Sequence, residues 1–155
     1  MPSASDAVIA ALRPDLAVTV ITHSPTTAAA LLDHPTAKVF ILGGWLRKEA
    51  AIACGTATAE AAGGVSAGLY LMVPTGIHEK AGLTAVDPDE AALRRLLMSR
   101  AASTYVLGST DKIGSVAPYT VSGLSDVEGI VTDAPSDHPT IQQLRQQEVD
   151  ILHAT

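Results

Sequence analysis

Apolar residues recur along this chain in short β-branched runs, and stretches with helical periodicity fill the gaps between them. Ala17 to Thr22 (AVTVIT), Lys38 to Leu42 (KVFIL), Gly68 to Val73 (GLYLMV), Thr104 to Leu107, Gly129 to Thr132 (GIVT) and Val149 to Leu152 read as strands. A short apolar run bounded by turn residues suits a strand covered on both faces. Ala50 to Cys54 reads as a further short strand. Helices are predicted between them. Ser3 or Ser5 caps one that runs to about Leu12 and stops at Arg13-Pro14, because the residue before a proline is driven out of the helical region. Ser24 at the N-cap and Pro25 at the first helical position open a second, ending by Pro35. A third covers Thr56 to about Ala62 and closes on Gly63-Gly64. The longest starts at Asp87-Pro88-Asp89-Glu90 and reaches about Ala102, with Ala91, Leu93, Leu96, Leu97 and Ala101 on one stripe. Pro139 to Gln147 reads as a polar helix, and Pro74 to Thr84 as a long glycine-bearing loop.

Strands alternating with helices predict an α/β fold: three layers, a mostly parallel sheet with helices on both faces, in one domain over residues 1–155. Ligands of such sheets settle beyond the carboxyl ends of the strands. The chain opens on a helix where an α/β unit usually opens on a strand, so its start reads as incomplete and its end as complete.

Composition narrows the function. Hydrophobic residues make up 47% and charged ones 17%, which excludes a disordered chain. Ten Lys and Arg against 16 Asp and Glu leave a net charge of −6, so the electrostatic term behind phosphate-backbone binding is missing. Aromatics are 3%, too few to stack bases. The single cysteine, Cys54, excludes an internal disulfide and fits a reducing cytosol as a small buried residue. No apolar run reaches the length of a membrane span, and we expect neither a cofactor nor a metal site. His23, His34, His78, His138 and His153 show no ligand spacing.

The remaining chemistry lies where strands end. Gly43-Gly44 follows a strand directly and suits either close backbone approach to an anion or a tight turn. Thr22-His23-Ser24-Pro25 puts free helix N–H groups at a strand end, for an anion or simply a cap. Gly76-Ile77-His78 through Gly82-Leu83-Thr84 precedes the best-capped helix. Lys112, in Ser109-Thr110-Asp111-Lys112-Ile113-Gly114, neutralises a phosphate or carboxylate, or is a solvated surface lysine.

In order, the pieces VITHSP, ILGGWLR, CGTATAEAA, GIHEKAGLT, DEAALRRLLM, VLGSTDKIG and GIVTDAP resemble the C-terminal effector-sensing domain of the DeoR family of bacterial transcriptional regulators, over about Val18 to Pro135. The resemblance implies the fold of ribose-5-phosphate isomerase and a phosphorylated sugar or similar anionic metabolite as effector. It implies a homo-oligomer in the cytoplasm whose DNA binding resides in an N-terminal winged helix-turn-helix. That element, and a first strand with its phosphate loop, are expected to lie outside this chain. The site residues it implies are Ser24, Gly43, Gly44, Gly76, Thr84, Glu90 and Lys112. The glycines would admit close backbone approach, Thr84 would bond a hydroxyl, Lys112 would meet the phosphate, and Glu90 would bond a sugar hydroxyl or cap its helix. The chain departs from the family pattern at His23, at Pro74-Thr75 where a Val-Asp is usual, at Arg94 for Lys, and at Ser109 for Asp. The expected function is sensing, not catalysis. The alternatives are a sugar-phosphate isomerase with Glu90 as base, and a degenerate dimerisation domain.

Overall fold

A computed structural model describes residues 4–154. The chain forms two compact units, Met1–Val65 and Ser66–Thr155.

The first unit runs α1 (Ala4–Ala11), β1 (Thr19–Thr22), α2 (Pro25–Ala30), β2 (Lys38–Ile41), β3 (Trp45–Arg47), β4 (Ile52–Cys54) and α3 (Thr56–Gly63). β1 and β2 pair in parallel, Thr19 opposite Lys38 and Thr22 opposite Ile41. β3 and β4 form an antiparallel hairpin, Trp45 opposite Cys54. Of the two expected caps for α1, Ser5 lies inside the helix and Ser3 outside the described residues. α2 starts as expected, with Ser24 Oγ accepting from the Thr27 N–H at 3.3 Å, but it ends at Ala30, short of Pro35. Gly64 closes α3 at φ −95°, without the left-handed turn that glycine usually supplies there.

The second unit contains β5 (Ala67–Met72), β6 (Gly76–His78), β7 (Gly82–Ala85), α4 (Pro88–Ser99), β8 (Ala101–Gly108), β9 (Tyr119–Ser122), β10 (Gly129–Thr132), α5 (Pro139–Gln146) and β11 (Ile151–His153). Its main sheet has the order β11-β10-β8-β5, parallel throughout. A second, antiparallel sheet has the order β6-β7-β9. The fold is therefore mixed α/β with a four-stranded parallel sheet. Met72, Ile77, Leu83, Val106, Ile130, Ile141 and Leu144 are fully enclosed and belong to one core cluster, to which both sheets, α4 and α5 contribute.

Two further expectations are corrected. The stretch read as a loop from Pro74 to Thr84 holds the β6–β7 hairpin, and its four β7 residues are all buried. Ala101 and Ala102, read as the end of the long helix, open β8 instead, since Arg100 already caps α4. β3 and β9 were not foreseen.

α4 is positioned by its start signal. Asp87 accepts the Glu90 N–H at 3.1 Å, with Pro88 in the first turn. β8 follows α4 immediately and runs parallel to β5. The helix must therefore run against the strands, which brings its N-terminal turn to their carboxyl end.

Candidate functional site

The expected site residues fall into two groups, one in each unit. In the first unit, Ser24 is engaged as the α2 cap, and its hydroxyl also lies 3.0 Å from Thr26 Oγ1. The Gly43 carbonyl accepts the buried Thr58 hydroxyl at 2.7 Å, which ties the Gly43-Gly44 turn to α3. The two glycines differ. A Cβ on Gly43 would point into open space. Gly44 has φ +152°, and a Cβ there would collide with Thr58 Oγ1 and sit 3.2 Å from the Cys54 carbonyl. Gly44 thus serves the chain's own packing, whereas Gly43 leaves exposed backbone for an approaching group. α3 starts nearby at Gly55, φ +100°, without a side-chain cap. His23 Nδ1 lies 3.1 Å from the Ala53 carbonyl, a structural tie between the strand end and β4.

In the second unit, Gly76 and Thr84 lie in the β6–β7 hairpin that follows β5, Glu90 in the first turn of α4, and Lys112 in the turn that follows β8. Gly76 is buried, and a Cβ on it would strike the Ser115 carbonyl. The close approach it permits is that of the segment after Lys112. Thr84 is 2% exposed, and its hydroxyl accepts the Ala117 N–H at 2.9 Å, fastening the same segment from the other side. Lys112 ends a 3₁₀ turn (Thr110–Lys112) that follows β8. Its Nζ donates to the Pro74 carbonyl just beyond β5 at 3.3 Å. Asp133, after β10, accepts from the Thr110 N–H and hydroxyl, both at 2.9 Å, and so fixes that turn. Burial, opposed by the Asp111 carboxylate and assisted by the Arg94 guanidinium, holds the Lys112 ammonium below its ordinary range. Asp111 itself is held down, chiefly by the Ser109 hydroxyl at 2.5 Å.

α4 supplies the remaining charge. Glu90 is 2% exposed, and its Oε2 lies 4.0 Å from the Arg94 guanidinium one turn on. Arg94 also acts on Tyr70 of β5, whose hydroxyl burial pushes up to about 12. Arg94 was noted in the sequence only as a replacement for Lys; its i,i+4 spacing from Glu90 was the signal that it shares the site. Tyr70 gave no such signal, because inside an apolar strand it reads as core.

Elsewhere His78, His138 and His34 serve the backbone, while His153 meets the Ser136 and Arg145 side chains. His78 Nδ1 accepts two N–H groups in the β6–β7 turn, His138 Nδ1 caps α5, and His34 Nδ1 caps the turn before β2. Among the described residues there is no group of three or more His, Cys, Asp or Glu placed to hold a metal ion. Nor is any helix long and apolar enough to cross a membrane.

A half-buried lysine, a partly buried arginine and a loop tie near the carboxyl end of a parallel sheet occupy the region where α/β domains of this form take their ligands. The chain belongs to the DeoR C terminal sensor domain family, which matches residues 3–134. It is similar to the HTH-type transcriptional repressor GlcR of Bacillus subtilis (strain 168), 26% identical over 134 residues, 86% of this chain and 52% of that protein. An uncharacterized HTH-type transcriptional regulator, FruR, of the same organism is 30% identical over 95 residues, 61% of this chain and 38% of the relative. The HTH-type transcriptional regulator GolR of Listeria innocua is 28% identical over 116 residues, 75% of this chain and 46% of the relative. The chain thus spans about half or less of the length of these curated relatives.

Proposed function

We propose that this chain is the effector-binding domain of a DeoR-type transcriptional regulator and that its effector is a phosphorylated sugar or a similar small anionic metabolite. The observation that carries the reading is Lys112, a half-buried cation at the sheet's carboxyl end whose Nζ has, among the described residues, one neutral carbonyl acceptor, at 3.3 Å. An anion would supply the counter-charge that burial leaves wanting. DNA binding is assigned to a helix-turn-helix elsewhere in the full-length regulator, because relatives carry that name and the chain's net charge of −6 opposes duplex binding. We place the regulator in the cytoplasm as a homo-oligomer, with residues 1–155 acting as one sensing domain without a cofactor. Sensing is favoured over isomerisation, since Glu90 would have to leave Arg94, 4.0 Å away, to abstract a substrate proton.

Thermal shift against pentose and hexose phosphates, each beside its unphosphorylated sugar, tests this. A bound phosphate ester must raise the melting temperature by mass action, and Lys112→Met must abolish the rise. Equal response to sugar and sugar phosphate, or a rise that survives Lys112→Met, would refute the assignment. Turnover of a pentose phosphate that vanishes in Glu90→Gln would establish the isomerase instead.

A further inference from the structure

We infer that Arg94 is a second anion-binding residue of the site in the second unit, gripping one edge of a phosphate-class dianion whose other edge meets Lys112. This rests on the proposed sensing function and adds a residue that was not among the ligand contacts expected from the sequence.

Position comes first. α4 runs against the parallel strands, so its first turns lie at their carboxyl end. Arg94 stands one turn in from Glu90, and its charge is felt both by Tyr70 on β5 and by Lys112 beyond β8. The direction of α4 thus turns Arg94 toward the strand ends, where Lys112 Nζ meets the Pro74 carbonyl.

Bonding comes next. The Arg94 side chain is only 11% exposed. Its Nε is enclosed and has no hydrogen-bond partner among the described residues. Glu90 approaches the other end of the guanidinium at 4.0 Å, too far for a hydrogen bond. A guanidinium carries five N–H donors in a rigid fork, and enclosing them unmade is costly. By contrast, the exposed Arg95 next to it donates to the Thr120 carbonyl at 2.6 Å and is structurally employed.

Charge completes the argument. The Arg94 guanidinium repels the Lys112 ammonium. Asp111 is exposed and turned to Ser109, while the enclosed Glu90 lies 4.0 Å from Arg94. An incoming dianion relieves that repulsion. A planar fork beside an ammonium suits a phosphate monoester, because the fork takes two oxygens and the ammonium a third.

The test is calorimetric titration of the chain with inorganic phosphate, with hexose and pentose phosphates, and with the free sugars. It compares wild type with Arg94→Met, Arg94→Lys, Arg95→Met and Lys112→Met. We expect Arg94→Met to weaken every phosphate-bearing ligand about tenfold or more, the scale of one lost charge-assisted hydrogen bond. Arg94→Lys should weaken them several-fold, and Arg95→Met should leave affinity unchanged. Inorganic phosphate binding as tightly as the esters would mean that the anion alone is recognised; tighter ester binding would mean that the sugar is read as well, and Arg94→Met must weaken both. If Arg94→Met does not fold, Arg94→Lys decides: wild-type affinity in that variant overturns the inference. Full affinity in Arg94→Met with loss in Lys112→Met overturns Arg94's role alone and leaves the sensing function standing. A wild-type chain that binds no phosphate ester overturns both.

Discussion

At the scale of single residues, the same side chains serve both packing and the candidate site. Thr84 was read as a ligand contact, yet its hydroxyl already accepts the buried Ala117 N–H. Thr84→Val preserves shape and removes that acceptor, so it should cost about 1–3 kcal/mol of stability, measured by urea denaturation without ligand. Lys112 gives a pH-dependent prediction. Its folded-state pKa lies below the ordinary 10.5, so between the two values the unfolded chain holds a proton that the folded chain has lost. Stability from this group therefore rises as pH climbs through that window and is penalised below it. Lys112→Met should flatten the rise on the alkaline side, as followed by denaturant midpoints at a series of pH values. Legibility differed among the site residues. Lys112 stood out as a cation among small polar residues just after a strand, and Glu90 as part of a helix-start signal. The distinction between Gly43 and Gly44 did not, because it depends on where Thr58 sits in space.

At the scale of elements, helix starts were the most legible feature. Ser24-Pro25 and Asp87-Pro88 cap their helices with the bonds their side chains are built to make. The antiparallel hairpins were not legible. β6 and β3 are three residues long, too short for any alternation, and β7 is buried at every position, so it shows no period of two. Glycine marks these strands for a physical reason. A Cβ at Gly76 would meet the Ser115 carbonyl, and one at Gly82, φ +74°, would come within 2.5 Å of the Ser122 carbonyl. Gly76→Ala and Gly82→Ala should each destabilise the fold by about 1–3 kcal/mol, while Gly43→Ala should stay within about 0.5 kcal/mol of wild type. Thermal denaturation of the three variants side by side checks the ordering; a Gly43→Ala loss as large as the others would mean that its backbone is more constrained than its open surroundings indicate.

At the scale of the whole molecule, the fold class was legible because a parallel sheet announces itself through continuous apolar runs. The division into two units was not, because no linker composition marks residue 65. The apolar surface of the first unit is unusual: Phe40, Ile41 and Leu46 are each about half exposed, and Trp45, the single tryptophan, is 86% exposed. Indole emission from the monomeric chain should therefore be that of a water-exposed ring. A shift to shorter wavelength with rising protein concentration, matched to sedimentation, would locate self-association at this face.

Cys54 is buried and is the chain's one thiol. A maleimide dye therefore has little to attack on the native protein. Ser125→Cys would place one accessible attachment point on an exposed turn of the second unit, while Trp45 is an optical donor in the first. One substitution therefore gives the chain a single accessible dye site beside a single intrinsic fluorophore.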